Sequence, residues 1–288
     1  MMRQPSAPPT VVDAHHHLWD LSVRDQDWIT GSAMAPIRRN FTLDDLEPEA
    51  RAAGVAATVL VQTIGVAEET PEFLAAAAGS DLVAGVVGWT DLTAPGVAET
   101  LAALRALPGG EKLVGIRHQV QGEADPEWLL RPEVRRGLAA VAAAGLPYDL
   151  VVLPHQLPAA ARAAELLPEL TFVLDHLGKP PIATGGMEPW AGHVRTLAAR
   201  PNTVCKLSGM VTEAAWDSWT ANGLRPYAGV VLDAFGPERL MFGSDWPVCR
   251  LAATYEEVLD AARTVTDELS GDERDAVFGT TARRVYAL

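Results

Sequence analysis

Val11-Val12-Asp13-Ala14-His15-His16-His17-Leu18-Trp19 reads as a short apolar strand whose far end turns polar. Side chains alternate along a strand, so His15 and His17 share one face and His16 takes the other. The Cα atoms of the pair sit roughly 6.5 Å apart, close enough for both rings to reach one metal ion or one substrate oxygen. Histidine is the commonest metal ligand and the usual acid–base group near neutral pH. On its own the string also fits a surface cluster or a tag remnant. A second polar string, Phe242-Gly243-Ser244-Asp245-Trp246-Pro247, follows another apolar run near the other end of the chain, which argues for a site.

Working outward, apolar and β-branched runs recur at 11–18, 57–64, 83–89, 113–119, 148–153, 171–176, 203–207 and 239–243. Several are continuously apolar, as expected of strands buried on both faces. Helix-like segments fall between them at 43–53, 71–78, 95–106, 132–144, 156–167, 188–199, 226–235 and 255–264. Several start with a proline in the first turn, and Gly54, Gly79, Gly145 and Gly236 stand where helices end. Strand–helix alternation repeated in this way predicts an α/β fold, a (β/α)8 TIM barrel in one domain over 11–288. A doubly wound open sheet is the alternative, but no Gly-x-Gly-x-x-Gly follows the first strand. The polar, Pro-rich residues 1–10 read as a flexible lead-in. The tail, 272–288, reads as a last helix on the barrel exterior.

A chain of 288 residues can bury a core of this size. Its formal net charge is −14 and it shows no basic stripe, which excludes nucleic acid as an expected partner. No segment approaches a membrane span or a signal core. Two cysteines, Cys205 and Cys249, make no disulfide framework, so a cytoplasmic protein is expected. Barrels commonly pair, and a homodimer stays open because no interface stands out.

Chemistry in a TIM barrel sits where strands end and the following loops begin. Nearly every predicted strand ends in a residue suited to it. The first offers His15 and His17, the second Gln62 and Thr63, and the third Trp89. The fourth offers Arg117 and His118, on opposite faces, with Arg117 favoured for the interior. The fifth leads to His155 and Gln156, where His155 is either a cap or a site residue. At the sixth, Asp175 and His176 alternate, so one faces in. The seventh offers Lys206 and Ser208, and the eighth Asp245 and Trp246. His16 is expected to be structural, and His193 to lie on a helix surface.

These strings, with Gly115-Ile116-Arg117-His118, Pro154-His155-Gln156-Leu157-Pro158, Asp175-His176-Leu177-Gly178-Lys179-Pro180 and Cys205-Lys206-Leu207-Ser208-Gly209, run through the whole chain. Together they resemble the amidohydrolase superfamily, in the amidohydrolase-2 branch that includes sugar lactonases and 2-pyrone-4,6-dicarboxylate lactonases. The resemblance implies that His15 and His17 are the first-strand pair, His176 the sixth-strand histidine, and Asp245 the carboxylate that activates water. It implies a divalent metal, often zinc, on His15, His17, His176 and Asp245. The fourth strand departs from the two-metal pattern by offering Arg117 in place of a bridging Lys or Glu, which leaves one ion or none.

The function expected from this is hydrolysis of a small lactone. Asp245 would take a proton from water. His15, His17 and His176 would stabilise the oxyanion, and Arg117 would hold a substrate hydroxyl or carboxylate. His155, Gln156, Trp246, Lys206 and Trp89 would line the wall for a small-molecule substrate. A metal-dependent decarboxylase of aromatic acids, an amide or imide hydrolase, and a ligand-binding barrel without catalysis are the competing readings.

Overall fold

The computed structural model describes residues 11–288; the expected lead-in at 1–10 lies outside them. In chain order the elements are β1 (Val11–His16), α1 (Leu43–Ala52), β2 (Val55–Val61), α2 (Glu69–Ala78), β3 (Val83–Gly88), α3 (Val97–Arg105), β4 (Leu113–His118), α4 (Pro132–Ala143) and β5 (Tyr148–Leu150). They continue with α5 (Leu157–Leu166), β6 (Phe172–Leu174), α6 (Trp190–Ala198), β7 (Thr203–Leu207), α7 (Met210–Glu213), α8 (Ala221–Phe235), β8 (Leu240–Phe242), α9 (Tyr255–Val265), α10 (Gly271–Asp275) and α11 (Thr281–Tyr286). All eight strands pair in parallel in sequence order. The seam between β1 and β8 is spanned by a His16–Trp246 bridge and by Asp245 N–H donating to the His15 carbonyl at 2.8 Å. This is the expected (β/α)8 barrel.

Two apolar compartments follow from strand alternation. One set of side chains, including Val12, Val59, Val61, Val87, Val173, Val204 and Met241, fills the barrel interior. The alternate set, such as Leu60, Val86, Ile116, Leu150 and Phe242, packs under the helices. Burial on both faces explains the continuous apolar runs. Each fully buried Val or Leu contributes about 1.5–3 kcal/mol.

Three strands are only three residues long: β5, β6 and β8. The predicted runs were longer because residues past each strand end stay buried while leaving the ladder to turn towards the mouth of the barrel. The tail also differs from its reading. After α10 a π-helical turn, Ala276–Thr280, leads into α11. Ala282 and Tyr286 then enter the interior compartment, so the tail plugs the N-terminal mouth instead of lying outside the barrel.

Candidate active site

A bulge in β1 aims the histidines. Asp13 pairs with Thr58 and His16 with Leu60, so three steps on β1 match two on β2. The extra residue inverts the alternation beyond it. Val12 and Ala14 face the interior before the bulge, and His15 and His17 face it after. His16 is left on the helix side, where Nε2 lies 3.0 Å from Thr58 Oγ1. Asp13 also faces outward. It accepts from His15 N, Ser244 N, Ser244 Oγ and Tyr255 OH at 2.6–3.1 Å, tying the end of β1 to the loop after β8. That loop holds Asp245 in the left-handed region at φ 57°, a conformation a non-glycine residue adopts only when its surroundings enforce it. Two glycines clear the space. A Cβ on Gly243 would stand 2.7 Å from His15 Cβ, and one on Gly209 would stand 2.8 Å from the His176 ring.

The geometry assigns the ring protons. His17 Nδ1 lies 2.7 Å from the Val61 carbonyl, which only an Nδ1–H can satisfy, so Nε2 carries a lone pair. His15 Nε2 is 3.1 Å from that lone pair, and His15 Nδ1 is 3.0 Å from Lys206 Nζ. Arg117 Nη1, which can only donate, also lies 3.3 Å from His15 Nε2, so in the form with the proton on Nδ1, 3.4 Å from Asp175 Oδ1, His15 Nε2 carries a lone pair as well. Burial, then the Lys206 charge, holds His15 well below the usual imidazole range. Burial brings His176 down to about 4, and its Nδ1 lies 2.9 Å from Ser208 Oγ. Both rings are therefore neutral at physiological pH.

Asp245 Oδ1 lies 3.6 Å from His17 Nε2, 3.8 Å from His15 Nε2 and 3.9 Å from His176 Nε2. Burial alone would raise this carboxyl, but His176, His17 and Lys179 outweigh it and hold it below the ordinary value. It is an ionised acceptor facing a cavity of about 350 Å³. Among the described residues no Lys or Arg lies within ion-pair distance of it.

Beneath the mouth, the interior is charged and fully buried. Arg117 donates to Asp175 at 2.9 Å and to the Gln62 side chain and carbonyl. Lys206 reaches Asp149 at 2.5 Å and Asp175 at 3.1 Å. Burial would raise both carboxyls. At Asp175 the Lys206 charge, the hydrogen bond from His15 and the Arg117 charge outweigh it and hold the group well below its usual range. At Asp149 burial wins against Lys206 and lifts the carboxyl to about 6. Tyr286 OH reaches both Asp149 oxygens at 2.8–2.9 Å.

His17, Arg117, His176 and Asp245 all line the cavity, and His15 stands directly behind them. Asp175 and His176 do not alternate, because β6 ends at Leu174 and the next residues form a tight turn with His176 at φ 52°. Both reach the interior. Other expected wall residues do not reach the cavity. His155 is exposed on the turn before α5, and Gln156 caps that turn through Leu153 N and the Val120 carbonyl. Trp89 donates to His118 at 2.9 Å beside the loop after β4. Trp246 is buried edge-on to Phe41. Lys206 is wholly buried below His15. In their place stand Lys179, Thr212, Glu213 and Trp216. Of these, Lys179 lies within the quoted string Asp175–Pro180. Asp149 was also missed, although a lone acid inside the apolar run 148–153 was a signal for it.

The donor set fits one divalent ion. His15 Nε2, His17 Nε2 and Asp245 Oδ1 form a triangle with edges of 3.1, 3.6 and 3.8 Å. Tetrahedral ligands at zinc distances sit about 3.4 Å apart. The bare His17 Nε2, fixed by Val61 behind it, is the lone pair a metal requires.

Comparison with known proteins gives the chain its family. The amidohydrolase family model matches residues 12–288. An L-fucono-1,5-lactonase of Burkholderia multivorans is 41% identical, with 96% of each chain covered. One from Burkholderia ambifaria is 38% identical, covering 96% of this chain and 95% of its own. A crystal structure of a Burkholderia multivorans amidohydrolase with bound zinc superposes with a TM-score of 0.92 at 40% identity, covering 96% of this chain and 99% of the other. The chain belongs to the amidohydrolase family.

Proposed function

We propose that this amidohydrolase opens the ring of a sugar lactone of the L-fucono-1,5-lactone class by hydrolysis. The observation that carries the reading is Asp245, an ionised carboxylate without a Lys or Arg counter-ion, aimed into a cavity beside Arg117 and His176. The two lactonase relatives, which match over nearly the full chain, support the substrate class.

Asp245 accepts a proton from water as the water oxygen bonds to the lactone carbonyl carbon. His17 Nε2, a lone pair 3.6 Å from Asp245, helps hold that water. It cannot polarise the carbonyl itself, because its only proton is committed to Val61. His176, whose Nδ1 faces Ser208, is the donor for the developing oxyanion through Nε2, and the positive charge of Arg117 beside it stabilises that oxyanion. When the acyl–oxygen bond breaks, the proton on Asp245 passes to the departing ring oxygen, giving a hydroxy acid. His15, His17 and Asp245 would hold one divalent ion, with His176 adjacent, and such an ion supplies Lewis-acid polarisation when bound.

A pH-indicator assay over a panel of aldono-1,5-lactones tests the reading. Acid release above the spontaneous rate is expected. Turnover of no lactone, with carbon dioxide released from an aromatic acid or amine released from an amide, would transfer the site to another reaction.

A further inference from the structure

Two cationic side chains besides histidine line the cavity among the described residues, and each already faces a carboxylate. Arg117 is bound to Asp175 at 2.9 Å. Lys179 lies 3.5 Å from Glu213. An anionic substrate would therefore have to break an existing pair. The Lys179–Glu213 pair differs from the buried Arg117 pair in two ways. It is longer than the roughly 2.7–2.9 Å of a strong charge-assisted bond, and both side chains keep about a quarter of their exposure, 23% and 26%. Donor and acceptor capacity is left over at the cavity wall.

The backbone places this pair deliberately. Lys179 sits in the left-handed region at φ 55°, three residues after His176 in the same conformation. Glu213 closes the single turn α7, whose N-cap Gly209 lies against the His176 ring. Both therefore hang from the segments that position the catalytic histidine. Trp216 follows on the same loop and lines the same cavity, while Met34, Val248 and Leu251 give it an apolar part.

We infer that Lys179 and Glu213 are the hydroxyl-reading subsite of this cavity, and that its substrate is a polyhydroxylated lactone without a carboxylate. The inference rests on the lactone reading and specifies it. Glu213 accepts hydrogen bonds from neighbouring ring hydroxyls, Lys179 donates to one, and Trp216 offers a flat face to the ring carbons. A site built to pair with hydroxyls discriminates strongly against analogues that lack them, because its polar groups are then left unpaired.

The test compares kcat/KM for L-fucono-1,5-lactone, unsubstituted δ-valerolactone and the carboxylate-bearing D-glucaro-1,4-lactone. It uses wild type, Glu213→Ala and Glu213→Gln, each checked for folding by circular dichroism. Wild type is expected to favour the neutral hydroxylated lactone. Glu213→Ala should cut the preference for L-fucono-1,5-lactone over δ-valerolactone by about tenfold or more, mainly through KM. Glu213→Gln frees the Lys179 charge and should raise kcat/KM for the carboxylate lactone about tenfold. It carries the test if the alanine variant does not fold. Unchanged preferences in the folded variants, or a wild type that takes the carboxylate lactone equally well, would overturn the inference alone. A wild type that opens no lactone would overturn the functional reading with it.

Discussion

The two mouths of the barrel are built from the same eight strands and differ in how their polar groups are satisfied. At the N-terminal mouth, Tyr286 closes the interior and Asp149 is surrounded by Tyr286 and Lys206. At the C-terminal mouth, His17 Nε2 and Asp245 keep acceptor capacity directed into the cavity. A closed network stabilises, whereas an open one leaves groups free for substrate. Lys206 and Asp175 join the two, since Lys206 touches Asp149 below and His15 above.

This contrast can be broken in graded steps. Asp245→Asn should lower kcat by about 10³-fold while the thermal melt stays near wild type, measured by initial rates and circular dichroism. Lys206→Met crosses the divide. It leaves Asp149 without its buried counter-charge and should cost about 3–5 kcal/mol in denaturant unfolding, with activity also reduced through His15.

A pH series of denaturant unfolding sharpens the view of the histidine strand. Burial brings His16 down to about 3, so it is neutral when folded and protonates near 6.5 when unfolded. Its contribution to stability is complete above about pH 6.5 and is lost as pH falls towards 3. The slope is about 1.4 kcal/mol per pH unit for one such group. His16→Asn should flatten that acid limb. Tyr286→Phe removes only the hydroxyl bonded to Asp149 and should cost roughly 1–2 kcal/mol with kcat nearly intact, the reverse of the Asp245 variant. His155→Ala, at an exposed turn outside the cavity, should leave both rate and stability within error.

Much of this was legible in the sequence. The continuous apolar runs marked eight strands because burial on both faces removes polar alternation. The catalytic candidates were visible because the fold places chemistry at strand ends, and His15, His17, Arg117, His176 and Asp245 do converge there. What was hidden is what depends on departures from regular geometry. The β1 bulge decides which face carries Asp13, and no residue in the string announces it. The turn after Leu174 brings Asp175 and His176 inward together, where strict alternation allows only one. His155 and Gln156 were misplaced because the chain had already left β5 at Leu150. Tyr286 looked like an exterior residue until the π turn carried α11 beneath the barrel.

The most direct test of the account is turnover of L-fucono-1,5-lactone in water enriched in oxygen-18, with the product weighed by mass spectrometry. The account predicts hydroxy acid formed at an enzyme-dependent rate with one heavy oxygen in its carboxylate. Enzyme-dependent product without that label, or no enzyme-dependent product at all, would contradict it.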